Sequence, residues 1–110
     1  MGISAERAAT NEARFREANE QINEKVVELG SLERSAPYLC ECEDERCTTI
    51  VLLTAAEYEE VRSGSRRFVV APGHNDGDAR VLAQREGFSV IEKTGEEGRV
   101  VEELDPRREV

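Results

Sequence analysis

The chain has 110 residues, of which 38% are hydrophobic and only 5% aromatic, so it fits a single domain with a modest core. Its formal net charge of −9 disfavours direct binding to nucleic acid, because a uniformly acidic surface repels phosphate. The longest apolar run, residues 50–53, is far too short to span a membrane. Nucleic acid and a membrane are therefore disfavoured as partners, and the expected partner is another protein.

The first predicted element is a long amphipathic helix over residues 5–29. Its apolar stripe consists of Ala8, Phe15, Ala18, Ile22, Val26 and Leu29. Ser4 and Thr10 are alternative N-caps, and Gly30 is placed to end the helix in a left-handed turn. Since such stripes usually face a core, we expect this helix to cover a sheet. The alternative is a partner-binding helix that forms a homodimer.

Two strands and a short helix are predicted next. Residues 31–37 are expected to be a connector, and residues 38–41 and 48–53 to be strands joined by the acidic turn 43–46. Thr54 and Glu57 form a capping box, in which the two side chains bind opposite backbone amides. A helix should therefore begin after Thr54, with Tyr58 and Val61 facing inward and Gly64 ending it.

The last part of the chain alternates strand and turn signals. Residues 67–71 predict a strand that Pro72 and Gly73 break, and residues 75–78 are rich in turn formers. Residues 81–84 and 88–93 predict a hairpin, although the first arm could be a helical turn instead. Residues 96–104 predict a final helix. The whole indicates an α+β fold with a small, mostly antiparallel sheet.

A cluster of cysteines is the clearest chemical signal. Cys40, Cys42 and Cys47 have the spacing C-x-C-x4-C. Three cysteines cannot all pair within the chain, and the N-terminus lacks a basic segment followed by an apolar run, which predicts no signal peptide. Both features predict a reducing, cytoplasmic location with a bound metal or free thiols. Cysteines two apart on a regular strand point to opposite faces, so the strand should end or kink between Cys40 and Cys42.

His74 is predicted to complete a zinc site. Zinc takes about four sulfur or nitrogen ligands in a tetrahedron, and His74 is the single histidine of the chain. It follows Pro72-Gly73, a pair that fixes one backbone dihedral and permits a positive φ, and so can aim a ligand. If the strand before it lies beside residues 48–53, its end meets the cysteines. Asp76, Asp78 or water are the alternatives for the fourth position.

Other interpretations of the cysteines stay open. A thiol redox sensor using Cys40, Cys42 and Cys47 needs a thiolate of lowered pKa, and the acidic residues at 41 and 43–45 are expected to raise it. A zinc-dependent enzyme is less favoured, because no H-E-x-x-H or H-x-E pattern occurs and no catalytic residue can be assigned. Arg66 and Arg67 are expected to offset the charge of a zinc–thiolate centre.

The C-x-C-x4-C spacing resembles the zinc segment that follows the catalytic domain in SET-type methyltransferases. In that segment, three closely spaced cysteines share zinc with a fourth, distant cysteine. The resemblance covers only residues 40–47 and implies that this spacing is sterically workable.

A wider set of segments resembles a group of short, uncharacterised actinobacterial proteins. The set consists of residues 11–17, 40–47, 53–62, 67–74, 90–93 and 105–107. This resemblance implies a bacterial cytoplasmic protein that is complete at residues 1–110, and it implies no activity.

Together, the sequence predicts one domain over residues 1–110, with an N-terminal helix over 1–30 and a zinc-stabilised α+β core over 36–106. One zinc ion per chain is expected on Cys40, Cys42, Cys47 and His74 in a structural role. The predicted function is a small cytoplasmic interaction or regulatory module whose partner is another protein.

Overall fold

The structure, a computed structural model, describes residues 4–30, 33–44, 46–74 and 79–107. Its elements in chain order are α1 (Ala5–Glu28), β1 (Ser35–Leu39), β2 (Ile50–Thr54), α2 (Ala55–Arg62), β3 (Arg67–Val70), β4 (Ala79–Arg85), β5 (Phe88–Lys93) and α3 (Gly95–Glu103). This is the expected α+β fold, but its strands form two antiparallel sheets: β1–β2, and β3-β5-β4 with β5 in the centre. None of the described helices is long and apolar enough to cross a lipid bilayer.

The ends of α1 follow from local sequence. The Ser4 hydroxyl accepts a hydrogen bond of 3.2 Å from the backbone N–H of Arg7, so Ser4 and not Thr10 is the N-cap. Gly30 has a φ of +72°, the left-handed conformation expected just after a helix.

The core-facing side of α1 is mainly polar, which the apolar stripe did not predict. Its buried polar residues are Asn11, Glu12, Arg16, Asn19 and Asn23. Of the predicted stripe, Ala8 is buried, whereas Phe15 is only half-buried and Leu29 is 69% exposed. The expected core face is therefore wrong in part, because hydrogen-bond partners from distant segments make the polar face the buried one.

Arg16 shows how this polar burial is compensated. Its guanidinium donates to the carbonyls of Ser65 at 2.7 Å and Val101 at 2.8 Å. The same group lies 4.3 Å from the centre of the Phe68 ring, a cation–π contact. These contacts join α1 to the start of β3 and to α3.

The β1–β2 hairpin differs from its predicted bounds at both strands. Residues 35–37, expected to be a connector, belong to β1, and Leu39 pairs with Ile50. The capping box of α2 is confirmed by hydrogen bonds of 2.8 and 3.0 Å between Thr54 and Glu57. Tyr58 and Val61 face inward as predicted, and the Tyr58 ring stacks on Tyr38 with centroids 4.7 Å apart.

The second sheet contains the predicted hairpin. Its first arm is a strand, not a helical turn, and the arms meet at Gly87, whose φ is +94°. Phe68 and Ile91 of this sheet and Val101 of α3 are fully buried in the same core as Tyr38 and Tyr58.

Candidate metal centre

Four candidate ligands meet where three segments of the chain converge. Cys40 directly follows β1, Cys47 precedes β2, and His74 follows β3. The sulfur atoms of Cys40, Cys42 and Cys47 and a ring nitrogen of His74 all lie within 4.8 Å of one another. Nδ1 of His74 is 3.6 Å from Sγ of Cys40 and 3.7 Å from Sγ of Cys47. These side chains are close enough to hold a metal ion.

The segment of residues 40–47, here called the cysteine loop, begins where the β1 strand stops. β1 ends at Leu39, so Cys40 and Cys42 do not lie on a regular strand and can face the same point. The N–H of Cys40 still donates to the Thr49 carbonyl at 3.0 Å, and the N–H of Cys47 donates to the Asp44 carbonyl at 3.0 Å. The second bond closes the turn that brings Cys47 back to the first two cysteines.

Glu41, between Cys40 and Cys42, anchors the cysteine loop in the core. Its carboxylate is fully buried and accepts hydrogen bonds from Asn19 at 2.9 Å, Tyr58 at 2.8 Å and the N–H of Val69 at 3.0 Å. Burial raises the pKa of Glu41, although all three donors stabilise the ionised form. Sequence reasoning treated this residue as an ordinary acid of the loop and missed its role.

A tight turn positions His74. The N–H of His74 donates to the Ala71 carbonyl at 3.0 Å, and Gly73 has a φ of +84°, which fits a type II turn with Pro72 before it. The N–H of Ala71 in turn donates to Sγ of Cys40 at 3.1 Å. The same turn therefore carries one candidate ligand and hydrogen-bonds another.

The strand before this turn does not lie beside residues 48–53, the neighbour considered from the sequence. β3 pairs with β5, and it reaches the cysteine loop through the N–H of Glu41, which donates to the Val69 carbonyl at 2.8 Å. Cys40 and His74 do lie close together, as predicted. The contact between their segments is the hydrogen bond from Glu41 to Val69 and not a pairing of β3 with β2.

The centre has a buried side and a solvent side. Cys40 and Cys42 are 1% and 3% exposed, whereas Cys47 and His74 are half-buried. A hydrogen bond from the Cys40 thiol is the largest cause that lowers the pKa of Cys42 to about 5, and the pKa of Cys40 is raised correspondingly. The expectation that acidic neighbours raise every thiol pKa is wrong for Cys42, because the Cys40 thiol and not a carboxylate has the largest effect on it. The Glu41 carboxylate points away into the core.

A second cluster of possible metal ligands consists of three carboxylates beside the ammonium group of a lysine. Oxygen atoms of Glu12, Glu43 and Glu97 lie within 4.8 Å of one another. Nζ of Lys93 is 2.5 Å from Glu12 and 3.2 Å from Glu97, so the ammonium group occupies the place a metal would take. Burial, followed by a hydrogen bond to Glu97, raises the pKa of Glu12 to about 10. This group joins α1, β5 and α3.

The predicted role of Arg66 and Arg67 is wrong. Arg66 pairs with Glu102 at 3.0 Å and Arg67 with Glu92 at 3.9 Å, at the start of β3, whereas His74 follows its other end. The alternative ligands Asp76 and Asp78 lie outside the described residues.

No protein-family model, curated protein or solved structure matches the chain. The chemistry of the site must therefore be judged from its donors, which are three sulfur atoms and one imidazole nitrogen.

Proposed function

We propose that the chain is a small zinc-binding protein that serves as an interaction or regulatory module, with one zinc ion held by Cys40, Cys42, Cys47 and His74. The sulfur-to-nitrogen distances of 3.6 and 3.7 Å carry this proposal. With zinc bonds of about 2.3 Å to sulfur and about 2.0 Å to nitrogen, a tetrahedral site has a sulfur–nitrogen edge of about 3.5 Å. The side chains are spaced as such an edge requires.

The donor set favours zinc over other ions. Thiolate sulfur is a poor ligand for magnesium or calcium, which prefer oxygen. Iron–sulfur clusters generally take four cysteines, and the chain has three. Three cysteines and one histidine form one of the usual structural zinc sets. Binding would remove the remaining thiol protons, so zinc affinity should fall at low pH.

A structural role agrees with where the ligands lie. The ion would join the end of β1, the start of β2 and the turn after β3, three segments from different parts of the chain. In a domain of 110 residues with few aromatic side chains, such a link adds to a limited hydrophobic core. Four protein ligands also leave no open position for substrate, which distinguishes the site from a catalytic one.

A thiol redox sensor is the second candidate, and the exposure of Cys47 is the observation that favours it. Cys47 is half-buried, so an oxidant can reach its sulfur, whereas Cys40 and Cys42 are nearly inaccessible. Peroxide would oxidise two thiolates to a disulfide and be reduced to water, with release of the metal. A reversible disulfide between Cys42 and Cys47 under mild peroxide would support this function.

Native mass spectrometry of the reduced, purified chain tests the proposal. The expected mass is that of the protein plus one zinc ion, and a metal-free mass before any chelator would contradict it. Substitution of cobalt for zinc then reports the ligands. A tetrahedral spectrum with thiolate charge-transfer bands is expected, and a five-coordinate spectrum would point instead to an open, catalytic metal.

A further inference from the structure

A cleft between α1 and the cysteine loop carries two arginines and one aromatic ring. It has a volume of about 490 Å³, within the range of ligand-binding clefts. The cleft is lined by Asn11, Arg14, Phe15, Ala18, Leu39 and Arg46, and is here called the arginine cleft.

Hydrogen bonds fix both walls of the arginine cleft. The amide of Asn11 donates to the Glu43 carbonyl at 3.1 Å. The side chain of Asn19 accepts from the N–H of Leu39 at 2.7 Å and donates to its carbonyl at 2.8 Å. Since α1 is tied to β1 and to the cysteine loop in this way, the cleft exists before anything binds, which lowers the entropic cost of binding.

Phe15 is an exception among the aromatic residues of the chain. The sequence contains three Phe and two Tyr, and the other four of these rings are at most 4% exposed. Phe15 is half-buried and lines the cleft together with the two arginines. Aromatic and arginine side chains are enriched where proteins bind one another, so this combination is typical of an interface.

The two arginines are exposed and make no ion pair with any residue of the described ranges. The same is true of the exposed Arg34 and Arg85, whereas ion pairs with carboxylates are described for Arg62, Arg66, Arg67, Arg80, Arg99 and Arg107. What distinguishes Arg14 and Arg46 is that both line one cleft. The arginine cleft therefore presents two positive charges that pair with no carboxylate of the described part of the chain.

An apolar strip extends the cleft across the outer face of the first sheet. Leu39 lines the cleft, and Ile50, its partner across the hairpin, is 50% exposed. Leu52 is 58% exposed and pairs with Pro37, which is also exposed. Cross-strand pairs lie on one face of a sheet, so these side chains form a continuous apolar surface beside the arginines.

We propose that the arginine cleft docks a segment of another protein in which carboxylates flank an apolar side chain. The apolar side chain would pack on Phe15 and Leu39, and the carboxylates would pair with Arg14 and Arg46. This inference rests on the proposed role as an interaction module and names its surface and the chemistry of its partner.

Charge complementarity favours this occupant over a second copy of the chain. Among the described residues that line the cleft there is no carboxylate, so a two-fold symmetric contact through it would bring arginines towards arginines. A nucleic acid would bring phosphates to the two arginines, but the net charge of −9 would repel the rest of its backbone.

Peptide selection on the zinc-loaded full chain tests the proposal. The probe is a displayed library of random twelve-residue peptides, and selection should enrich Asp or Glu beside Leu, Ile or Phe. Amide shifts of the isotope-labelled chain on adding an enriched peptide should concentrate at the residues of the arginine cleft. No enrichment, enrichment without acids, or shifts elsewhere would each overturn the proposal.

Paired charge reversals supply the control. Arg14→Glu with Arg46→Glu should weaken binding of the enriched peptide by about tenfold or more. Arg34→Glu with Arg85→Glu changes the net charge equally, since both are exposed and form no described ion pair, and should change binding by less than about twofold. Equal losses in the two double variants would contradict a local site.

The same samples separate failure of the cleft from failure of the metal proposal. Zinc content is measured for each variant, and the arginine substitutions should leave it at one ion per chain. If the unaltered chain binds zinc but selection enriches no acidic peptide, only the cleft proposal fails. If the unaltered chain contains no zinc, only the zinc proposal fails. A concentration-dependent dimer in sedimentation that the Arg14→Glu, Arg46→Glu variant abolishes would assign the cleft to a second copy and overturn the proposal.

Discussion

The hydroxyl of Tyr58 donates a hydrogen bond of 2.8 Å to the carboxylate of Glu41, the residue that separates Cys40 from Cys42. Tyr58 lies on α2 and Glu41 in the cysteine loop, and both are fully buried. The loop that carries three candidate metal ligands is therefore attached to the core independently of any metal. Part of the site should already be ordered when zinc arrives, which favours tight binding.

We expect removal of the Tyr58 hydroxyl to destabilise the protein more than removal of the hydroxyl of Tyr38, whose ring stacks on Tyr58. Tyr58→Phe takes one donor from a buried carboxylate and should cost about 1–3 kcal/mol. Tyr38→Phe is the matched control, because the Tyr38 hydroxyl donates at 2.9 Å to the neutral amide of Asn23 and should cost about 1 kcal/mol. Urea unfolding of the zinc-loaded proteins measures both, and equal costs would contradict the assignment of a charged acceptor.

The raised pKa of Glu12 predicts that stability falls as pH rises. Its carboxyl has a pKa near 4.5 in the unfolded chain and about 10 in the folded one. The stabilisation from its bound proton is therefore complete below about pH 4.5 and is lost as pH rises towards 10.

Glu12→Gln should remove this dependence. Relative to wild type, the variant should gain up to about 1.4 kcal/mol for each pH unit between about pH 6 and pH 9. Unfolding curves at several pH values measure the difference. Glu86→Gln, at an exposed turn, is the control and should follow the wild-type profile. A pH-independent difference for Glu12→Gln would contradict a protonated Glu12.

The cluster of Cys40, Cys42, Cys47 and His74 was the more predictable part of the molecule. Cys40, Cys42 and Cys47 lie within eight residues, and the chain has one histidine, which follows a Pro-Gly pair. Metal ligands are rare residue types whose spacing is a local property, so few arrangements needed to be considered. The hairpins and the capping box of α2 were predictable for the same reason, because turn and cap signals act over a few residues.

The polar core could not be derived in this way. Glu12 and Arg16 are buried because Lys93 and the carbonyl of Val101 reach them from far along the chain. A sequence pattern does not show such partners, and burial without them would be too costly. One signal was available: α1 contains Asn11, Asn19 and Asn23, and asparagine is unfavourable inside helices unless its side chain has another use.

Arg62 holds the C-terminal segment through a buried ion pair. Its side chain is 0% exposed and forms an ion pair with Asp105. A second carboxylate oxygen, from Glu20, lies 3.4 Å from the Arg62 guanidinium. Arg62→Met should cost about 3–5 kcal/mol, because the buried carboxylate of Asp105 would lose the cation that forms its ion pair. The double variant with Asp105→Asn removes that charge and should recover part of the loss in urea unfolding. No recovery would mean that the packing of the arginine, and not its charge, is what matters.

Replacement of the histidine tests its place in the metal centre. His74→Cys keeps four ligands, since structural zinc sites with four cysteines are common, and should still bind one zinc ion. His74→Ala should weaken zinc binding by more than about a hundredfold, beyond the usual effect of losing an outer-shell partner. Competition with a chromophoric chelator measures both affinities. Unchanged affinity in His74→Ala would assign the fourth position to another ligand, such as Asp76 or Asp78.

Gly73 tests whether the turn before His74 sets the geometry of the centre. Its φ of +84° is unfavourable for other residues, and apart from its chain neighbours no atom of the described residues lies within 4 Å of where a Cβ would be. Gly73→Ala should therefore cost about 1 kcal/mol through backbone conformation alone, and the strained turn should move the imidazole and lower zinc affinity.

Gly30 is a matched control for this effect, because its φ is +72° and its Cβ position is likewise free of contacts with the described residues beyond its chain neighbours. Gly30→Ala should cost a similar free energy of unfolding, yet zinc affinity should not change, since Gly30 lies at the end of α1. Gly73→Asn should recover zinc affinity in part, because asparagine tolerates the left-handed conformation better than alanine does. Equal zinc affinities in Gly73→Ala and Gly30→Ala would show that the left-handed conformation of Gly73 does not set the position of the His74 ligand.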